Sequence, residues 1–160
     1  MQTFLSPIRG LIGTVAYGES EFYRGPVGRN TADSEFSLDG VTTLPRVDIV
    51  MAHENMDGAL IDAAVASGAR GLVIAGVGNG NMTKAAVDAL GVQSKKGIVC
   101  VRSSRVPTGR VGRNVEVNDD QLGLVASLEL NPQKARVLLT LALTRSADPR
   151  EIARMFESQQ

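Results

Sequence analysis

From residue 47 onward, short β-branched apolar runs alternate with helix-length segments across turns that carry glycine, and this alternation is what most constrains the fold. Residues 47–52, 71–75 and 97–102 read as strands, and residues 59–67 and 82–90 read as helices. A strand followed by a helix and another strand, with connections this short, is the pattern of parallel strands whose crossovers lie on the sheet faces. The expected class is therefore α/β, a small parallel sheet flanked by helices over residues 46–160. A long irregular loop follows at 103–118, and residues 122–128 are apolar again. Asn131-Pro132 and Asp148-Pro149 each pair an N-capping side chain with proline at the first helical position, so helices are expected to 144 and over 150–157.

The N-terminal quarter does not share this pattern. Residues 11–17 and 21–24 are β-prone and joined by Gly18-Glu19-Ser20, which reads as a β-hairpin with no obvious sheet to join. Residues 25–45 are rich in Gly, Asn, Ser, Thr, Asp and Pro without a sustained period, and read as a linker. With 17 basic and 17 acidic side chains interspersed along the chain, no basic face is set aside for a nucleic acid. No apolar stretch approaches the roughly 20 residues that cross a bilayer, and the first ten residues have no signal-peptide pattern. Neither a nucleic-acid nor a membrane partner is expected, and the compartment is left open.

In a parallel sheet, ligand groups gather in loops at the carboxyl ends of the strands. Two such loops bear chemistry. Gly76-Val77-Gly78-Asn79-Gly80-Asn81 follows the strand at 71–75, and its glycines permit positive φ and close backbone approach. The loop after residue 102 runs on to Glu116. An amide and a carboxylate at one sheet edge suit an amino acid's ammonium, since the carboxylate neutralises it and the amide oxygen accepts an N–H. The plainer reading is that Asn79 and Asn81 only adopt turn conformations and that Glu116 is a solvated loop charge. His53 is the single histidine, and no zinc spacing occurs, so no metal or other cofactor is expected. Cys100 lies in the run GIVCV and reads as a buried structural thiol. Ser103 and Ser104 have no histidine in their loop, and Asp119-Asp120 reads as a solvated turn.

Three stretches, AGVGNGN (75–81), VRSSRVPTG (101–109) and LNPQKARVLL (130–139), together resemble the C-terminal half of bacterial type II L-asparaginases, in that family's order and approximate spacing. QTF (2–4) and the hairpin resemble the end of the family's N-terminal catalytic domain, and residues 25–45 its interdomain connection. The resemblance implies a division into 1–24 as a remnant of the catalytic domain, 25–45 as linker and 46–160 as the C-terminal domain.

The family hydrolyses L-asparagine to L-aspartate and ammonia through a threonine nucleophile in a Thr-Gly-Gly-Thr-Ile type motif. Neither that motif nor His-Gly-Thr-Asp occurs in these 160 residues. The resemblance therefore implies no catalytic residue here, and a chain inactive by itself. It assigns Asn81 and Glu116 as contacts to the substrate's α-amino group, serving a neighbouring subunit's site. The implied partners are L-asparagine or L-aspartate in an assembled site, further copies of the chain, or an asparaginase N-terminal domain. The alternative is a non-enzymatic interaction module, or a truncated paralogue, that pairs with an intact asparaginase.

Overall fold

A computed structural model describes residues 5–6, 8–25, 28–29 and 31–159. The QTF stretch at 2–4 lies outside the described residues. Two strands, β1 (Gly13–Ala16) and β2 (Glu19–Phe22), form an antiparallel hairpin. The pairing of Ala16 with Glu19 leaves a two-residue turn at Tyr17-Gly18, both at positive φ (54° and 85°). The expected turn at 18–20 is thus displaced, because a two-residue turn of this hand matches the twist of the strands it joins. The hairpin leaves Val15, Phe22 and Tyr23 exposed. Its approach is tied to the rest of the chain by Arg9 Nε, which donates to Glu129 Oε2 at 2.7 Å.

The following segment holds a short 3-10 helix (Thr31–Asp33) and is fastened at residues 35 and 36. Arg154 Nη2 lies 2.5 Å from Glu35 Oε2, Ser158 Oγ donates to Glu35 Oε1 at 3.0 Å, and Phe36 packs on the core. The Arg154 guanidinium holds the Glu35 carboxyl below the usual carboxylate range. A lowered folded-state pKa stabilises the fold above the ordinary value, and that contribution disappears as pH falls through the lowered one. Glu35→Gln should therefore lower Tm at neutral pH, and the gap from the native chain should narrow as pH falls below the ordinary carboxylate range. Circular dichroism melts across that range would show it; a gap independent of pH would refute the role of the charge.

Four parallel strands make the main sheet: β3 (Val47–Met51), β4 (Gly71–Gly76), β5 (Val99–Ser104) and β6 (Leu124–Ala126), in the order β3-β4-β5-β6. Alternation along each strand sends side chains to two cores. On one face Val47, Val73, Val99, Val101 and Val125 meet α4 (Pro132–Ala142) and α5 (Pro149–Ser158) through Leu139, Ile152 and Phe156. On the other, Leu72, Ile74 and Cys100 meet α1 (Ala59–Ala66) and α2 (Lys84–Lys95) through Ile61, Ala86 and Leu90. This is the α/β arrangement expected, with the hairpin before it. Among the described residues no helix is long and apolar enough to cross a membrane.

Both Pro-marked helices open where the sequence placed them. Asn131 Oδ1 accepts from Lys134 N at 2.9 Å, and Asp148 Oδ1 from Arg150 N at 2.9 Å. Several boundaries differ from those expected. Helix α2 runs on to Lys95 through Gly91, which is buried where an added Cβ would lie 3.3 Å from Leu122 Cδ2. Strand β5 starts at Val99 because Gly97 takes a positive φ of 87°, and it ends at Ser104 paired with Gly76.

Candidate functional site at the carboxyl edge of the sheet

Because the strands lie in chain order, the sheet has no reversal point where neighbouring loops diverge into a crevice. The loops after β4 and β5 instead leave adjacent strands and are joined to each other. The first closes on itself: Val77 N donates to Asn81 O and Asn81 N to Val77 O, both at 2.8 Å. Gly78 and Gly80 supply the positive φ values (53° and 78°) that this crown needs. Gly76 is required for a different reason, since a Cβ there would lie 2.5 Å from the carbonyl carbon of Gly80.

Behind the crown stands Arg102, in the middle of β5 and 1% exposed. Its Nε and Nη2 donate to Asp119 Oδ1 and Oδ2 at 2.6 and 2.7 Å, a two-pronged pair with a carboxylate that is fully buried. Nη1 and Nη2 also donate to Asn79 O and Gly112 O respectively, each at 3.0 Å. Asp119 Oδ2 also accepts from Asn114 N at 2.8 Å. One guanidinium thus binds the β4 loop, the β5 loop and the start of α3 (Asp119–Leu122). Asp119 is not the solvated turn residue expected, whereas its exposed neighbour Asp120 pairs with Arg113 at 2.7 Å. The sequence clue to this clamp was a lone arginine inside an apolar strand, which cannot be buried without a partner.

Glu116 lies exposed on the β5 loop, and the amide that touches it belongs to Asn79, whose Nδ2 donates to Glu116 Oε1 at 3.3 Å. Asn79 Oδ1 accepts from Gly112 N at 2.7 Å. Asn81 sits at the foot of the same crown, held by its backbone; among the described residues its exposed side chain makes no hydrogen bond. The edge thus carries one exposed carboxylate, Glu116, and two asparagine amides, of which that of Asn79 contacts it.

The other candidates fall elsewhere. Ser103 is buried and its Oγ donates to Leu130 O at 3.0 Å, while Ser104 Oγ accepts from Val106 N. Burial pushes the Cys100 thiol up to about 12, far from a thiolate at neutral pH. His53 is exposed, its Nδ1 2.6 Å from Glu54 O. Clefts of about 460, 470 and 630 Å³ lie at other surfaces, and none of the three is lined by Asn79, Asn81 or Glu116.

Comparison with known proteins gives a consistent assignment. The family model described as the glutaminase/asparaginase C-terminal domain matches residues 46–156. The chain is 44% identical over 157 residues to the probable L-asparaginase periplasmic of Haemophilus influenzae, covering 98% of this chain and 45% of that protein. It is 44% identical over 154 residues to L-asparaginase 2 of Escherichia coli, covering 96% and 44%. It is 40% identical over 156 residues to the glutaminase-asparaginase of Pseudomonas fluorescens, covering 97% and 43%. The chain thus spans under half the length of these relatives. By the extent of that match, the chain belongs to the glutaminase/asparaginase C-terminal domain family.

Proposed function

We propose that these residues act as the substrate-orienting part of an L-asparaginase-type amidohydrolase, which converts L-asparagine and water to L-aspartate and ammonia. Asn81 and Glu116 hold the substrate's α-amino group, and the chain supplies surface for assembly with the part that carries the nucleophile. The observation that supports this reading most is the joining of the two carboxyl-edge loops around Arg102, with the exposed Glu116 carboxylate held to the β4 loop by Asn79 and the exposed Asn81 at the foot of that same loop. A carboxylate against an ammonium makes a charge-assisted contact with both geometric and charge selectivity.

Orientation alone does not split an amide. The activated nucleophile and the oxyanion stabiliser supply most of the rate enhancement, and the threonine motifs that would provide the former are not in these 160 residues. Ammonia release from L-asparagine should be absent from the purified chain and should appear on mixing with an N-terminal domain of a related asparaginase. Turnover by the chain alone would overturn the division of labour.

A second reading, a non-enzymatic module that pairs with an intact asparaginase or with itself, draws on the exposed Val15, Phe22 and Tyr23 of the hairpin. Stable association without ammonia release in the same mixing experiment would favour it.

A further inference from the structure

We propose that Asn79 is the positioning residue that fixes the Glu116 carboxylate for the substrate's ammonium, an inference that rests on the role given to Glu116 above. Asn79 takes no positive φ, so the turn does not require asparagine for its backbone; Gly78 and Gly80 carry the left-handed conformations. Its side-chain chemistry is what the site requires. The Gly112 N–H can only donate, which assigns the atom 2.7 Å from it as Oδ1 and turns Nδ2 toward Glu116 Oε1. One primary amide thereby accepts from one loop backbone and donates to the functional carboxylate on that same loop.

The amide is itself held from behind. Arg102 donates to Asn79 O through Nη1 and to Gly112 O through Nη2, so both residues that meet at the amide are anchored on one buried guanidinium. Of the small polar or apolar replacements, aspartate keeps the acceptor for Gly112 but sets a second negative charge against Glu116. Leucine has neither function, and serine is too short to serve both partners. Asn79→Asp is therefore the discriminating change, nearly isosteric and expected to retain the fold while repelling the Glu116 carboxylate.

The test uses the chain mixed with an asparaginase N-terminal domain, with two amide substrates: L-asparagine and the corresponding amide acid lacking the α-amino group. Asn79→Asp should lose roughly ten- to hundredfold in kcat/KM for L-asparagine and little for the deaminated amide, with a thermal melt close to native. Combined with Glu116→Gln it should cost little beyond that single change, because both remove one contact. A native-like Asn79→Asp alongside an impaired Glu116→Gln would overturn the positioning role and leave the proposed function standing.

A Glu116→Gln variant equal to native on L-asparagine would instead sink the ammonium reading itself. Nitrogen-15 NMR of the 160-residue chain then decides the tie independently of activity. Glu116→Ala should move the Asn79 side-chain amide resonances and leave Gly112 N–H protected from exchange, whereas unmoved Asn79 resonances would overturn it.

Discussion

Replacing Arg102 with leucine is expected to destabilise the chain by about 3–5 kcal/mol, a fall of roughly 10 °C in Tm for a domain of this size. The cost arises from what the substitution leaves behind. Asp119, fully buried, would be left with Asn114 N–H as its remaining described donor, and the carbonyls of Asn79 and Gly112 would each lose a partner. Stranding a buried carboxylate costs far more than the net worth of the pair it belonged to. Asp119→Leu should be similarly severe for the mirror reason, since it strands a guanidinium that is 1% exposed.

The double replacement should therefore cost clearly less than the two single changes added together, because it strands no charge. Urea unfolding of the four proteins, followed by circular dichroism, gives the coupling energy directly. Additive changes, or single variants within about 1 kcal/mol of native, would mean that the pair is more hydrated than its geometry implies. Hydrogen exchange supplies a second readout. With Arg102 gone, amides of the 77–81 crown and the β5 loop should open well below the free energy of global unfolding.

How much of this site was legible beforehand depends on the range over which each feature is decided. Asn131-Pro132 and Asp148-Pro149 carry their caps within three residues, and the alternation of valine-rich runs with helical segments needs no long-range information. The glycine crown was visible for the same reason. Which asparagine meets Glu116 was not, since that is decided by the closure of Val77 on Asn81, which lifts Asn79 to the top of the turn.

The Arg102–Asp119 pair spans 17 residues and depends on where α3 begins. Asn118 caps that helix through Gln121 N, and its first turn points Asp119 inward and Asp120 outward, so two adjacent identical residues have opposite surroundings. Composition cannot separate them. The same holds for Gly91, which reads as a helix stop until α3 is packed beside it; an inward-facing glycine there is a fit to Leu122.

The proposed role of Glu116 carries the second large expectation. In the assembled enzyme, Glu116→Gln retains an acceptor oxygen and the size of the side chain but removes the charge opposite the ammonium. A hydrogen bond to a charged group is worth about 1.5–3 kcal/mol, so kcat/KM for L-asparagine should fall by roughly ten- to hundredfold. Asn81→Ala removes an acceptor whose bond to the ammonium is also charge-assisted, worth about 1.5–3 kcal/mol, and should likewise cost roughly ten- to hundredfold. The substrate amide without its α-amino group has nothing for either residue to hold, so both variants should process it at the native rate. Equal losses on the two substrates would place Asn81 and Glu116 in maintaining the assembly, and the ammonium contact would have to be sought on other residues of the edge.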